Sequence, residues 1–154
     1  MKLVTIDPQS QIRYTYVDSP VGPLLLVGAL SDAEFALVGV SMQEQTHTPE
    51  VGTGWVHDDS VFGEVSEQLD QYFAGDRTTF ELTIGIDHQA TDFQGDVWRA
   101  LTEIPYGHTA SYADVAASVG RPRATRAVGS ANGRNPLAIV IPCHRVVAAD
   151  GGLG

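Results

Sequence analysis

The hydrophobic pattern of this chain changes near residue 90, and that change limits what the sequence can fold into. Before it, short apolar or alternating runs at 13–17, 24–30 and 35–40 are separated by polar turns, a pattern typical of a strand meander. After it, apolar residues recur at helical spacing. A chain of 154 residues therefore suits an α/β N-terminal domain, residues 1–88, and a mostly helical C-terminal domain, residues 89–154.

Helices are predicted on both sides of this boundary. In the N-terminal half, the periodicity predicts a helix over 61–74 with Ser60 as its cap, followed by a further strand over 80–86. In the C-terminal half, Asp92 is the predicted cap of a helix whose apolar residues continue to Ile104. Pro105-Tyr106-Gly107 then ends this helix.

Two short helices separated by a glycine turn are predicted next. Ser111 is expected to cap the first, which ends at Gly120, and the second is predicted over about 123–132. Helix, tight turn and helix is the order of a helix-turn-helix unit, although many helical pairs bind nothing. In such units the second helix enters a DNA groove. In this chain the predicted second helix has mostly small side chains. They offer few groups that could read base edges, but they permit close approach to a narrow surface.

The charge of the chain is distributed unevenly. The net charge is −10, yet residues 1–90 hold fourteen acidic and three basic groups, a net −11, whereas residues 91–154 hold five acidic and six basic groups, a net +1. Between 121 and 145 there is no acid, and five arginines occur: Arg121, Arg123, Arg126, Arg134 and Arg145. This stretch favours a polyanion-binding surface, with a solvated basic face as the alternative.

The only cysteine, Cys143, lies in the segment IPCHRVV between Pro142 and His144-Arg145. A lone cysteine is often a small buried core residue. Here a histidine and an arginine follow it directly, and both favour the reactive thiolate. An arginine also keeps its charge and is costly to bury. The sequence therefore predicts a nucleophile, and a single cysteine excludes an internal disulfide and a multi-cysteine zinc site.

Other classes of protein are not indicated. No stretch approaches the roughly 18 apolar residues of a membrane span, and Asp7 and Pro8 interrupt the N-terminal segment, unlike a signal peptide. No phosphate-cradling glycine loop precedes a helix. We therefore expect a cytoplasmic monomer without a metal, a nucleotide cofactor or a membrane partner.

Three segments, in this order and spacing, closely resemble the methylated-DNA–protein-cysteine methyltransferases, also called O6-alkylguanine-DNA alkyltransferases. They are TDFQGDVWRALTEIPYGHTASYADVAASVG, RATRAVGSANGRNP and IVIPCHRVV. The resemblance implies a small ribonuclease H-like α/β domain followed by a mostly helical domain with a winged-helix-like helix-turn-helix. It also implies a DNA repair protein that flips O6-alkylguanine, with O4-alkylthymine as a further substrate, out of double-stranded DNA. The alkyl group would move irreversibly to Cys143.

The resemblance also implies roles for particular residues. His144 would take the thiol proton through a water, because neighbours on an extended strand point to opposite sides. Asn135 resembles the hinge asparagine of the family. Tyr112 resembles the tyrosine that rotates the nucleotide and donates to the departing guanine, and Arg126 resembles the finger that fills the gap in the base stack. The resemblance further implies a small groove-facing surface of Ala124, Thr125, Ala127 and Gly129. The charge distribution adds Arg123, Arg134 and Arg145 as expected DNA contacts.

Family members usually continue with a glycine-rich loop and a helix whose glutamate completes the histidine network, whereas this sequence ends in GGLG at 151–154. We therefore expect an incomplete C-terminal domain and reduced activity. Two other functions stay open: a non-catalytic protein that binds alkylated DNA, and a thiol hydrolase in which His88 or His108 faces Cys143. A hydrolase turns over, whereas a suicide acceptor stops after one event.

Overall fold

The computed structural model describes residues 1–32, 34–42 and 51–148. The chain divides into two units, Met1–His88 and Gln89–Gly154. Each unit has its own secondary structure and its own buried side chains.

The first unit is built on a six-stranded sheet. Its strands are β1 (Lys2–Thr5), β2 (Gln11–Val17), β3 (Leu24–Ser31), β4 (Glu34–Met42), β5 (Val56–His57) and β6 (Thr83–Ile86). In space they follow the order β1-β6-β4-β3-β2-β5. The pairs β2–β3 and β3–β4 are antiparallel, whereas β1–β6, β4–β6 and β2–β5 are parallel. The sheet is therefore mixed, with the predicted meander at its centre.

Strand β3 lies in the core of this sheet. Leu24, Leu25, Leu26 and Val27 are buried in succession, as in a strand that is covered on both faces. The strands predicted at 13–17, 24–30 and 35–40 are confirmed as β2, β3 and β4, each with longer bounds. Strands β1 and β5 were not predicted, because so few residues show no clear alternation.

Helix α1 (Gly63–Phe73) of the first unit differs from its prediction at the start. A 3-10 turn, Asp59–Phe62, precedes it, and the cap is Asp58, whose carboxylate accepts from the Ser60 amide at 3.0 Å. The assignment of Ser60 as the cap was therefore wrong. The Asp58 carboxylate, two residues before Ser60, satisfies a free amide at the start of the 3-10 turn. The residue before α1, Phe62, has no side-chain cap.

The second unit contains three helices and a two-stranded ribbon. The helices are α2 (Asp92–Leu101), α3 (Tyr112–Ser118) and α4 (Thr125–Gly133). Strands β7 (Ala110–Ser111) and β8 (Val146–Val147) pair in parallel. Trp98 of α2 is 4% exposed and donates its indole N–H to the Ala131 carbonyl of α4 at 2.9 Å. This hydrogen bond ties the C-terminal half of α4 to the core of the unit.

The caps of the second unit match the sequence in one case and differ in the other. Ser111 caps α3 as predicted, in a capping box with Asp114. Helix α2, in contrast, is capped by Thr91, in a box with Gln94, and Asp92 is the first helical residue. The prediction of Asp92 was wrong by one position, because threonine followed three residues later by glutamine is the stronger capping signature.

Helices α3 and α4 are joined by a tight turn. Gly120 ends the first with φ +76°, a conformation that glycine adopts without steric cost. The second begins at Thr125, slightly later than predicted. The order of helix, glycine turn and helix is confirmed, whereas its role in DNA binding stays a prediction. No helix in the described part of the chain is long and apolar enough to cross a membrane.

Candidate active site

Cys143 lies in a short turn between a buried segment and strand β8. Residues Cys143–Arg145 form a 3-10 turn, closed by a hydrogen bond from the Arg145 amide to the Pro142 carbonyl at 3.0 Å. The thiol residue is half-buried and forms no disulfide. An extended strand was expected here, and that expectation was wrong, because the Cys143 amide folds back to the Ile141 carbonyl at 2.8 Å.

His144 follows in the same turn and its side chain is exposed. Burial of part of the imidazole lowers its pKa below 6.5, and the positive charge of Arg145 lowers this pKa further. Both effects disfavour the charged ring. At neutral pH the imidazole is therefore uncharged and keeps a free nitrogen that can accept a proton.

The titration of His144 gives a direct test of this environment. We expect the imidazole C–H resonances to titrate with a midpoint below 6.5, measured by NMR against pH. As the pH falls from 6.5 towards this midpoint, the unfolded chain binds the proton first, so the free energy of unfolding decreases. In Arg145→Gln the midpoint should rise only part of the way to 6.5, since burial is the larger cause of the lowered pKa. A midpoint at or above 6.5 would contradict this description.

Asn135 supports the segment that leads into the turn. Its amide donates to the Ile141 carbonyl at 2.8 Å, and its side-chain oxygen accepts from the Leu137 amide at 3.0 Å. The segment between these two residues is mostly buried. The side chain therefore satisfies a main-chain donor and a main-chain acceptor that the fold removes from water.

Loss of this side chain should destabilise the protein. In Asn135→Ala, the Leu137 amide loses its side-chain acceptor, whereas the Ile141 carbonyl keeps the Cys143 amide as a partner. A buried unsatisfied group costs about 1–3 kcal/mol. We expect a decrease of that size in the free energy of unfolding in urea. Ser130→Ala, at an exposed position of α4, is the control and should change it by less than about 0.5 kcal/mol. Equal stability of the two variants would contradict the assigned role.

Asn132, which the sequence analysis did not single out, also contacts the turn. From the last turn of α4 its amide Nδ2 donates to the Cys143 carbonyl at 3.4 Å. Its Oδ1 is buried and has no hydrogen-bond partner in the described part of the chain. The only sequence signal is its position, one helical turn before Asn135.

The exposed face of α4 carries three of the residues predicted to contact DNA. Thr125, Arg126 and Ala127 are exposed, whereas Val128 and Ala131 are buried in the unit. The arginines at 121, 123 and 134 are also exposed. Among the described residues, none of these four arginines pairs with a carboxylate. The structure thus presents free positive charge on and around one short helix.

Tyr112, the first residue of α3, lies against α4. A Cβ atom built on Gly129 would be 3.8 Å from Cε1 of the tyrosine ring. Tyr112 is partly exposed. Its helix starts directly after β7, and β7 pairs with β8, the strand that directly follows the Cys143 turn. The chain therefore brings Tyr112, the small residues of α4 and the segment of Cys143 into one part of the second unit.

Arg145 contacts the protein itself. Its guanidinium donates to the Ile104 carbonyl at 2.7 Å and lies 5.6 Å from the centre of the Tyr106 ring. These contacts hold the turn against the loop that follows α2. The assignment of Arg145 to DNA binding was made from charge alone and stays a prediction.

The described residues contain no group of three or more His, Cys, Asp or Glu side chains that could hold a metal ion. The two histidines considered for a hydrolase have other contacts. His108 lies 3.2 Å from the Tyr106 carbonyl through Nδ1, and His88 lies 3.2 Å from Asp87. In the described part of the chain, His108 forms no hydrogen bond with Cys143, and His88 belongs to the other unit. Neither observation supports the hydrolase.

Comparison with known families matches both units. The family model described as 6-O-methylguanine DNA methyltransferase, DNA binding domain, matches residues 92–154. The model described as the ribonuclease-like domain of the same proteins matches residues 12–86. This chain is a member of the 6-O-methylguanine DNA methyltransferase family.

Similar proteins span most of the chain. The methylated-DNA–protein-cysteine methyltransferase of Mycobacterium tuberculosis is 48% identical over 142 residues, which are 92% of this chain and 82% of the relative. The protein of the same name from Methanosarcina barkeri is 44% identical over 140 residues, 91% and 85% of the two chains. Among solved structures, Mycobacterium tuberculosis OGT in complex with DNA has a TM-score of 0.81 at 45% identity, over 92% of this chain and 82% of that chain.

Membership in this family confirms the resemblance that three sequence segments indicated. It also confirms the α/β class, with a sheet in the first unit and helices in the second. All residues to which the resemblance gave roles, from Tyr112 to His144, lie in the segment matched by the DNA-binding model. The expectation of an incomplete domain concerns residues 151–154, which lie outside the described residues.

Proposed function

We propose that this methyltransferase-family protein repairs alkylated DNA by moving the alkyl group from O6 of guanine to Sγ of its own Cys143. The observation that carries the proposal is the Cys143 turn, where a half-buried thiol precedes a histidine whose pKa is lowered. This turn belongs to the unit that matches the DNA-binding model of the family. The partner is DNA, and the alkylated double-stranded form is the proposed substrate, with O4-alkylthymine as a second one.

The reaction is a substitution at the alkyl carbon. The proton of the Cys143 thiol passes to neutral His144 through a water, and the sulfur attacks the carbon bound to O6. The carbon–oxygen bond breaks, and its electron pair stays with the guanine. A donor stabilises the departing base, and Tyr112 is the residue proposed for this step. The product is a thioether, which water does not cleave easily, so each protein molecule reacts once.

Access to O6 requires the nucleotide to leave the base stack. We assign the insertion into the minor groove to Arg126, which is exposed on α4, because a planar cation can stack and donate hydrogen bonds at once. Tyr112 would crowd the phosphate and help to rotate the nucleotide. The small groove-facing surface would consist of Ala124, Thr125, Ala127 and Gly129, with Arg123, Arg134 and Arg145 near the phosphates.

The remaining proposals concern organisation. Residues 89–154 would form the DNA-binding alkyltransferase domain and residues 1–88 a separate α/β domain. Asn135, with its bonds to Leu137 and Ile141, would act as the hinge between α4 and the Cys143 turn. A cytoplasmic monomer fits these assignments.

Intact-mass spectrometry tests the proposal. The protein is mixed with an excess of a duplex carrying one O6-methylguanine, and the expected result is one methyl-sized gain that stops at one equivalent. Peptide mapping should place the methyl group on Cys143, and an unmodified duplex of the same sequence should give no gain. Continued product formation beyond one equivalent would indicate turnover and overturn the proposal. Binding of the modified duplex without a mass gain would leave a non-catalytic lesion-binding protein.

A further inference from the structure

The Cys143 carbonyl is held from α4 by a side chain to which the proposed mechanism gives no role. This oxygen accepts one hydrogen bond from the Val146 amide, at the end of the 3-10 turn, and another from the Asn132 side-chain amide at 3.4 Å. Asn135 acts at a different point, on the Ile141 carbonyl. The two asparagines therefore hold the chain on either side of Pro142, and one cannot replace the other.

The orientation of the Asn132 amide follows from its partner. Only the Nδ2 group can donate to a carbonyl, so a flipped amide would place two oxygens against each other. In the observed orientation, Oδ1 is buried without a partner in the part of the chain described. Buried polar atoms are nearly always paired. The observed orientation therefore places the donor group of the amide beside Cys143.

Asn132 also connects this carbonyl to the exposed face of the same helix. It lies in the last turn of α4, whose first turn carries the exposed Thr125, Arg126 and Ala127. Val128 and Ala131 anchor the helix in the core. Since a short helix moves as one body, a shift of its exposed face is passed on to the residue bonded at its end.

We propose that Asn132 is a positioning residue, which fixes the Cys143 turn relative to the helix that contacts DNA. The inference rests on the proposed function, in which Cys143 is the acceptor and α4 lies on the duplex. Asn132 does not touch the reacting atoms. It keeps the thiol at a fixed place relative to a base that the same helix has helped to extrude.

Two reactions of Cys143 separate this role from a general effect on the thiol. Methyl transfer from an O6-methylguanine duplex requires the sulfur of Cys143 to be correctly placed relative to the alkylated base. Alkylation by iodoacetamide does not require this. For Asn132→Ala we expect the rate constant for methyl transfer to fall about tenfold, the effect of one lost hydrogen bond. The iodoacetamide rate constant should change by less than about twofold, since the thiol itself is untouched. The measured quantity is the rate constant for methyl transfer divided by the rate constant for the reaction with iodoacetamide.

Matched variants make the comparison specific. Asn132→Asp keeps the shape of the side chain and replaces the donor by a second oxygen, so it should lower the ratio as Asn132→Ala does. Ser130→Ala, exposed on the same helix, should leave the ratio unchanged. A wild-type ratio in both Asn132 variants would overturn the inference. So would equal losses in the two reactions, which would indicate a general loss of structure.

Hydrogen exchange tests the same role without DNA chemistry. The Val146 amide donates to the Cys143 carbonyl, so release of that carbonyl in Asn132→Ala should speed its exchange about tenfold, while amides of α2 stay as in the wild type. Unchanged exchange at Val146 would overturn the inference. If the wild type transfers no methyl group while the exchange of the Val146 amide is still faster in Asn132→Ala, the result would overturn the proposed function. It would still support the hydrogen bond from Asn132 to the turn.

Discussion

A protein with Cys143→Ser is expected to gain no mass from a duplex carrying O6-methylguanine, although it binds that duplex as the wild type does. A hydroxyl has no accessible anion near neutral pH and is a weak nucleophile without a strong base. Serine is close in size to cysteine and suits a half-buried turn, so the fold and the DNA contacts should persist. Intact mass reports the chemistry, and fluorescence anisotropy of a labelled duplex reports binding.

The two measurements together decide between the functions considered. A methyl gain that persists in Cys143→Ser would place the acceptor elsewhere in the chain. Loss of both binding and mass gain would show that the substitution had disturbed the second unit, and circular dichroism would then show the loss of helix directly. Binding without mass gain, next to a wild type that reacts once, is the outcome that the proposed mechanism requires.

Replacement of Arg126 by alanine is expected to slow methyl transfer from duplex DNA about 100-fold. Extrusion of a base costs a few kcal/mol of lost stacking and pairing, and each 1.36 kcal/mol corresponds to a factor of ten in rate. An exposed guanidinium on α4, with no carboxylate paired to it among the described residues, is free to offset that cost. Single-turnover rates at saturating duplex isolate this step from binding.

A lysine at the same position serves as the comparison. Arg126→Lys keeps the charge and loses the planar group, so it should restore affinity for DNA and its salt dependence but only part of the rate. Full recovery of the rate would show that charge alone matters at this position. A wild-type rate in Arg126→Ala would remove the residue from the mechanism and leave it as one more solvated arginine.

The fold was predictable where local signals agree. The strands β2, β3 and β4 follow from apolar or alternating runs between turns, and α3 follows from its cap Ser111 and the stop at Gly120. The capping signal led to the wrong residue where two neighbouring residues can both cap a helix, as Thr91 and Asp92 can at the start of α2. Local signals also failed for strands such as β5, which exists because β2 offers an open edge.

The sequence predicts the candidate site as a set of residues, which stays a prediction, and says less about its geometry. Cys143 and His144 were proposed because their types and order carry chemistry, and Asn135 because of the family resemblance. The turn at Cys143 was missed, because its closure depends on Ile141 and Pro142 carbonyls that no side-chain pattern encodes. Asn132 was missed for the same reason: its partner is a main-chain oxygen, and only the fold brings that oxygen within reach.

The pairing of β7 with β8 bears on when, during folding, the surroundings of Cys143 form. Ala110 and Val146 are far apart in sequence, and their ribbon joins the start of α3 to the end of the Cys143 turn. Contacts between distant residues form only after a large loop has been closed, which costs chain entropy. We therefore expect the thiol to acquire the neighbours that this ribbon provides only after that loop has closed. On the proposed function, the capacity to accept an alkyl group then arises together with the folded second unit.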